Sequence, residues 1–220
     1  MSRAAAALVL HSNPYSNNAR KVHALLAEPD MAGLSVERRL VRMIGGETRT
    51  PGFLALNPNG KVPTLQVDGA PLFESNAICV ALARRAGSAL WPVDADRQHH
   101  ALQWMFWQTT TLDRPCGVVV VQRVLVPMQG GQPDTAVVER ELAAVRAAFA
   151  ILDGHLADRI WMLGDAFSVA DLAIAGSLVY ADPDVLPVGD FSHLNAWWSR
   201  LKARPSWQAS APPPLPKRLD

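Results

Sequence analysis

The sequence predicts a two-part chain: an α/β unit with the order βαβ–α–ββα around a mixed four-stranded sheet, then an all-α helical bundle. Three observations predict it. The first third alternates short apolar runs with segments of helical spacing, each closed by turn residues. The stretch Gly87 to Asp94, containing Trp91-Pro92, interrupts that alternation, and every apolar pattern beyond it is helical. The expected boundaries are 1–86 for the α/β unit, 87–94 for a linker and 95–220 for the helical part with its Pro-rich tail.

Ala6 to His11 is a short apolar run that ends in turn residues, which suits a buried strand. Ser16 to Glu28 carries Ala19, Val22, Leu25 and Leu26 at helical spacing until Pro29-Asp30 and Gly33 break it. Ser35 to Met43 reads as a second strand, released by Gly45-Gly46. Thr50-Pro51 opens a short helix that closes near Leu56. Pro63–Val67 and Pro71–Phe73 are strands joined by the hairpin signal Asp68-Gly69. A helix from Ser75 presents Ile78, Leu82 and Ala83 on one face and stops at Gly87.

Four further helices are expected: Asp96–Val126, Thr135–Leu156, the more apolar and therefore central Ser168–Tyr180, and Phe191–Ala203. Pro127 and Gly130-Gly131-Gln132-Pro133 part the first two. Ala211-Pro212-Pro213-Pro214 begins a non-helical tail.

Bulk composition excludes several function classes. Of 220 residues 49% are hydrophobic and 19% charged, which is too apolar for a disordered chain. A net charge of +1, with pairs such as Arg38-Arg39 and Arg84-Arg85 read as solvated faces, offers no footprint for nucleic acid. Cys79 and Cys116 stand far apart without metal spacing, so neither a disulfide framework nor a metal site is expected, and a reducing cytoplasm fits. No run approaches the roughly 20 apolar residues that span a bilayer, so no membrane partner is expected.

Three segments carry chemistry. In Asn57-Pro58-Asn59-Gly60-Lys61-Val62-Pro63-Thr64-Leu65, a proline opens a strand, where no ladder donor is needed. A trans bond is the ordinary case; a cis Val62–Pro63 would turn the Val62 backbone outward as a receptor for another peptide. Glu74-Ser75 sits where a hairpin strand passes into a helix. Ser75 or Asn76 can cap that helix, and the same free N–H groups can bind a carboxylate while Glu74 holds an ammonium group. In Pro14-Tyr15-Ser16-Asn17-Asn18-Ala19-Arg20-Lys21-Val22, Ser16 either caps the first helix or aims its hydroxyl at the same sheet edge.

Together these segments closely resemble the cytosolic glutathione S-transferase family, in its bacterial theta-, phi- and nu-like serine-type branch. The likeness covers nearly the whole chain, and Ser168-Val169-Ala170-Asp171 matches the family's capping-box motif. It implies a thioredoxin-like N-terminal domain that binds glutathione as co-substrate, an all-helical C-terminal domain, and a homodimer. It further implies a cis Val62–Pro63, with Val62 pairing to the cysteinyl backbone. Glu74 and Ser75 would take the γ-glutamyl group; Lys61 and Arg49 would lie near the glycyl carboxylate, and Thr48 stands where some members keep His.

Ser16 aligns with the family's catalytic serine. Its hydroxyl is too weak an acid to serve as base, so its implied role is to donate a hydrogen bond to the glutathione thiolate. Lowering a thiol pKa of about 8.5 by about two units takes roughly 2.7 kcal/mol. A hydrogen bond to a charged group contributes about 1.5–3 kcal/mol and a helix N-terminus about 0.3–1 more. Asn18 is the rival donor, with Ser12, Asn13 and Tyr15 nearby. The absence of Cys at position 16 argues against mixed-disulfide chemistry, and Cys79 reads as a core residue.

Trp104, Trp107 and Thr111, with Arg114 and Cys116 beyond, form a face that could line an acceptor pocket together with Tyr15, although aromatics at helical spacing are more often core.

The implied function is a detoxifying transferase whose glutathione thiolate attacks a small hydrophobic electrophile or reduces a peroxide or disulfide. The alternatives are a non-catalytic glutathione-binding or protein-interaction module, and a glutathione-dependent isomerase or dehalogenase.

Overall fold

The computed structural model describes residues 7–214. Ala6, expected to start the first strand, and the last six residues of the tail lie outside that range. Four strands form one mixed sheet in the order β2-β1-β3-β4. The central strand β1 (Leu8–Ser12) runs parallel to β2 (Val36–Leu40) and antiparallel to β3 (Thr64–Val67), which pairs with β4 (Ala70–Leu72). Leu8, Leu10 and Leu65 are buried, as their place at the sheet centre requires. The edge strand β2 is largely exposed, Leu40 included, and its Arg38 and Arg39 discourage further strand pairing. Asp68 and Gly69 both take positive φ, the geometry of a two-residue hairpin whose twist matches its strands.

Helix α1 (Asn17–Leu26) follows β1. Helix α2 (Pro51–Leu56) begins with the Thr50 hydroxyl capping it, and α3 (Ser75–Ala86) ends at Gly87 in the left-handed region. The long helical pattern expected over 96–126 is a rod from Ala95 to Met128 that changes pitch twice. Helices α4 (Ala95–Trp107), α5 (Asp113–Val120) and α6 (Val126–Met128) are joined by π-helical stretches at Gln108–Leu112 and Val121–Leu125. The cause is in the sequence. Pro115 and Pro127 lack the N–H that would bond the carbonyls of Thr111 and Arg123, and their rings crowd those carbonyls, so each preceding turn widens.

Then come α7 (Thr135–His155), α8 (Val169–Ser177), α9 (Ser192–Lys202) and α10 (Pro205–Ala209). All nine residues of α8 are buried. Helix α10 was not expected from the sequence, because five residues give no usable periodicity. It clasps the two parts of the chain. The Arg204 guanidinium donates to both oxygens of buried Glu28 at 3.1 and 2.7 Å, and Ser206 Oγ also donates to Glu28. Arg20 of α1 lies 4.1 Å over the Trp207 ring and donates to its carbonyl at 3.3 Å. Among the described residues, no helix is long and apolar enough to cross a membrane.

Ser168 and Asp171 form the reciprocal capping box of α8. The Asp171 carboxylate is wholly buried and accepts from Met162 N (2.8 Å), Trp197 Nε1 (2.9 Å), Ser168 N (2.9 Å) and Ser168 Oγ (3.0 Å). Leaving buried donors unsatisfied costs about 1–3 kcal/mol each, so Asp171→Ala should lower unfolding free energy by about 3 kcal/mol or more in urea titrations. A second expectation concerns pH. Burial, aided by the nearby Arg38 charge, pushes the His23 ring down to about 4, and it stays neutral against Ser12 Oγ. The unfolded ring takes its proton near the ordinary 6.5, so the stability this residue contributes is present above that pH and lost as pH falls towards 4. His23→Gln should flatten that part of the acid limb when urea midpoints are compared between pH 7 and pH 4.

Candidate functional site

The site is assembled where β1 ends. Asn13 Nδ2 donates to Val41 O at 2.8 Å, and Val41 packs with Phe53 and Val62, so the ends of β1 and β2 and the loop before β3 share one small core. The loop is held by its own side chains. Asn57 Nδ2 donates to Lys61 O (2.8 Å) and Thr64 Oγ1 (3.1 Å), while Asn57 Oδ1 accepts from Asn59 N at 3.0 Å. Asn57 is buried, which explains its place in the motif. The Val62–Pro63 bond is cis. Arg49 lies against the same loop, its Nη1 donating to Asn59 O at 3.3 Å, and both it and Lys61 are exposed. Gly60 sits at φ +60, where an added Cβ would lie 2.7 Å from Arg49 Nη1 and 2.8 Å from Thr48 O.

The second wall is the start of α3. Glu74 holds φ +69, a region costing a residue with a long side chain about 1–3 kcal/mol and concentrated at functional sites. Its side chain makes no capping bond and is exposed beside the helix N-terminus. Ser75 Oγ donates to Asn18 Oδ1 at 3.2 Å, which ties the first turns of α1 and α3 together.

Ser16 is the cap of α1. Its Oγ accepts from Ala19 N at 3.2 Å, leaving its own O–H unengaged among the described residues. The neighbours weighed as rivals are committed elsewhere: Ser12 Oγ meets His23 Nε2 at 2.9 Å, and Asn13 bonds Val41 O and Tyr15 N. Ser16 and Tyr15 line a cleft of about 680 Å³ together with Val120, Val121, Val124, Leu125, Met43 and Ile44. Tyr180, which sequence reasoning missed, also lines it and donates from its hydroxyl to Tyr15 O at 2.7 Å. Burial pushes the Tyr180 phenol up, against the opposing pull of Arg20.

Trp107 and Thr111, the expected pocket face, are not among the residues that line this cleft. Trp107 packs edge-on to Trp104 at 5.3 Å, Trp104 lies 4.3 Å from the His155 ring, and Thr111 is exposed. Arg114 pairs with Glu141 at 3.2 Å, and Cys116 is in the core. The π-helical stretches rotate the rod's register, so the face facing Ser16 is the valine-rich one further along. The run Gly117 to Leu125 was the available signal: an aliphatic stretch just before Pro127. Cys79 is buried, which pushes its thiol up to about 12 and leaves it inert as a nucleophile. Among the described residues, no group of three His, Cys, Asp or Glu side chains is placed to hold a metal.

A family model described as "Glutathione S-transferase, N-terminal domain" matches residues 6–84, and one described as "Glutathione S-transferase, C-terminal domain" matches residues 114–205. The chain is 33% identical over 218 residues to "Glutathione S-transferase 3" of Zea mays, covering 96% of each. It is 29% identical over 225 residues to "Elongation factor 1-gamma 2" of Oryza sativa subsp. japonica, covering 96% of this chain and 52% of that one. Among solved structures, a theta class glutathione S-transferase of Xanthomonas axonopodis pv. citri with glutathione bound matches with a TM-score of 0.81. It is 30% identical, over 94% of this chain and 97% of that one.

The crowding at Gly60 yields a test of the loop. Gly60→Ala should cost about 1–3 kcal/mol in thermal or urea unfolding, since it combines a disfavoured φ with contacts below 3 Å.

Proposed function

The chain belongs to the glutathione S-transferase family, and we propose that it works as a transferase in which Ser16 holds the glutathione sulfur as a thiolate. The observation that carries this reading is the Ser16 cap. One of its two lone pairs accepts from Ala19 N, and its O–H is left to donate into the cleft beside Tyr15. One such bond to an anion, at about 1.5–3 kcal/mol, together with the α1 N-terminus, accounts for the roughly two units by which a thiol must be acidified. Asn18 retains its Nδ2 as the alternative donor, its Oδ1 being taken by Ser75.

In the proposed complex the tripeptide runs across the ends of the sheet. Ser75 and Glu74 take the γ-glutamyl group, the Val62 backbone pairs with the cysteinyl residue beside Pro63, and Lys61 and Arg49 meet the glycyl carboxylate. The acceptor occupies the valine-lined cleft. Its wall of aliphatic side chains supports a small hydrophobic electrophile. The sulfur forms a bond to an electrophilic carbon as the leaving group or π electrons depart; peroxide or disulfide reduction and isomerisation or dehalogenation would use the same thiolate. The proposal includes a cytoplasmic homodimer acting in detoxification, on the strength of the family likeness.

A second reading is a glutathione-binding interaction module without turnover. The similarity to "Elongation factor 1-gamma 2", of which the chain matches about half, is what favours it. Steady-state conjugation with Ser16→Ala and Asn18→Ala decides. Ser16→Ala should lower kcat/KM by about 10- to 100-fold and move the apparent pKa of the pH–rate profile upwards by about 1–2 units. Full activity in both variants would show the assignment to be wrong. Glutathione binding by calorimetry with no turnover would favour the module.

A further inference from the structure

Lys21 of α1 is 1% exposed, a complete ammonium side chain in the interior. Such a charge costs several kcal/mol to bury, and an apolar side chain of the same volume would serve packing as well. Its surroundings are built around it. Nζ donates to Asn76 Oδ1 at 2.7 Å. The Asn76 amide donates onward to Gln108 Oε1 (3.0 Å) and Met105 O (3.2 Å). Gln108 Nε2 in turn donates to Asp113 Oδ1 (3.0 Å) and Ser177 Oγ (2.8 Å), and the Ser177 hydroxyl donates to Asp113 Oδ1 at 2.7 Å. Gly176 makes room for the Lys21 stem; a Cβ there would lie 3.2 Å from Lys21 Cδ. Burial lowers the Lys21 pKa, and the neighbouring Cys79, Asp113 and Glu74 oppose the shift.

The grip falls on the first turn of α3. Asn76 directly follows Ser75, and Asn18, three residues before Lys21 on α1, takes the Ser75 hydroxyl at 3.2 Å. Two successive residues of the α3 N-terminus are therefore held by side chains of one face of α1. We propose that Lys21 is a positioning residue for the γ-glutamyl end of glutathione: through Asn76 it fixes the turn that presents Glu74 and Ser75. The inference rests on the glutathione reading above and adds to it a residue that does not touch the tripeptide.

The test is steady-state kinetics on the full chain, varying glutathione and chlorodinitrobenzene separately. Lys21→Met should raise the KM for glutathione about fivefold or more, with kcat and the KM for chlorodinitrobenzene held within about twofold. A purely structural role would reduce the folded fraction, lowering kcat and leaving both KM values unchanged, and that result overturns the proposal. If Lys21→Met does not fold, Gln108→Met cuts the same network one residue beyond Asn76. Its glutathione KM must rise likewise, and an unchanged value overturns the proposal. Failure of the unsubstituted chain to bind or turn over glutathione would instead overturn the transferase reading itself, together with this one.

Discussion

One buried carboxylate holds the frame in place. Asp171 satisfies four donors at once: two from its own cap, one from the Met162 backbone, and one from the Trp197 indole on α9. Burial pushes this carboxyl up to about 6, but every neighbour is a donor and the group is still ionised at neutral pH. The consequence runs outward. With its N-terminus fixed, α8 can be buried along its whole length, and α1 packs against it. Helix α1 carries Ser16 at its cap, Asn18 in its first turn and Lys21 on its buried side. The capping box has no chemistry of its own, yet it sets where the candidate chemistry stands.

The cleft follows from a different constraint, two prolines inside one long helix. Pro115 and Pro127 remove donors the helix needs, and the turns before them open to π geometry. The register change carries Val120, Val121, Val124 and Leu125 towards Ser16 and leaves Trp104 and Trp107 packed towards His155. An unbroken 3.6-residue repeat would have kept one face throughout.

Residues around the candidate site divide between shaping its backbone and leaving a polar group free. Asn57, Thr64 and Gly60 are consumed in shaping their loop, and Asn13 in joining β1 to Val41. Ser16, Lys61, Arg49 and Glu74 keep a group free. Glu74 is held at positive φ at the start of α3, so its carboxylate stands beside the helix N-terminus without capping it.

The sequence by itself determined the element order as far as α9, the hairpin at Asp68-Gly69, Ser16 as a candidate cap, the box at Ser168 and Asp171, and the segments around the candidate site. Each is written in neighbouring residues: a period of two or 3.6, a turn pair, or a capping spacing. Only the tertiary structure decided which face of the long rod lines the cleft with Ser16, that Tyr180 joins that lining, that α10 clasps Glu28 and Arg20, and that Lys21 is buried against Asn76. Those outcomes join residues dozens to more than 150 positions apart, where no local pattern carries the pairing. A helix shows its apolar side in sequence, but what that side meets is settled by packing.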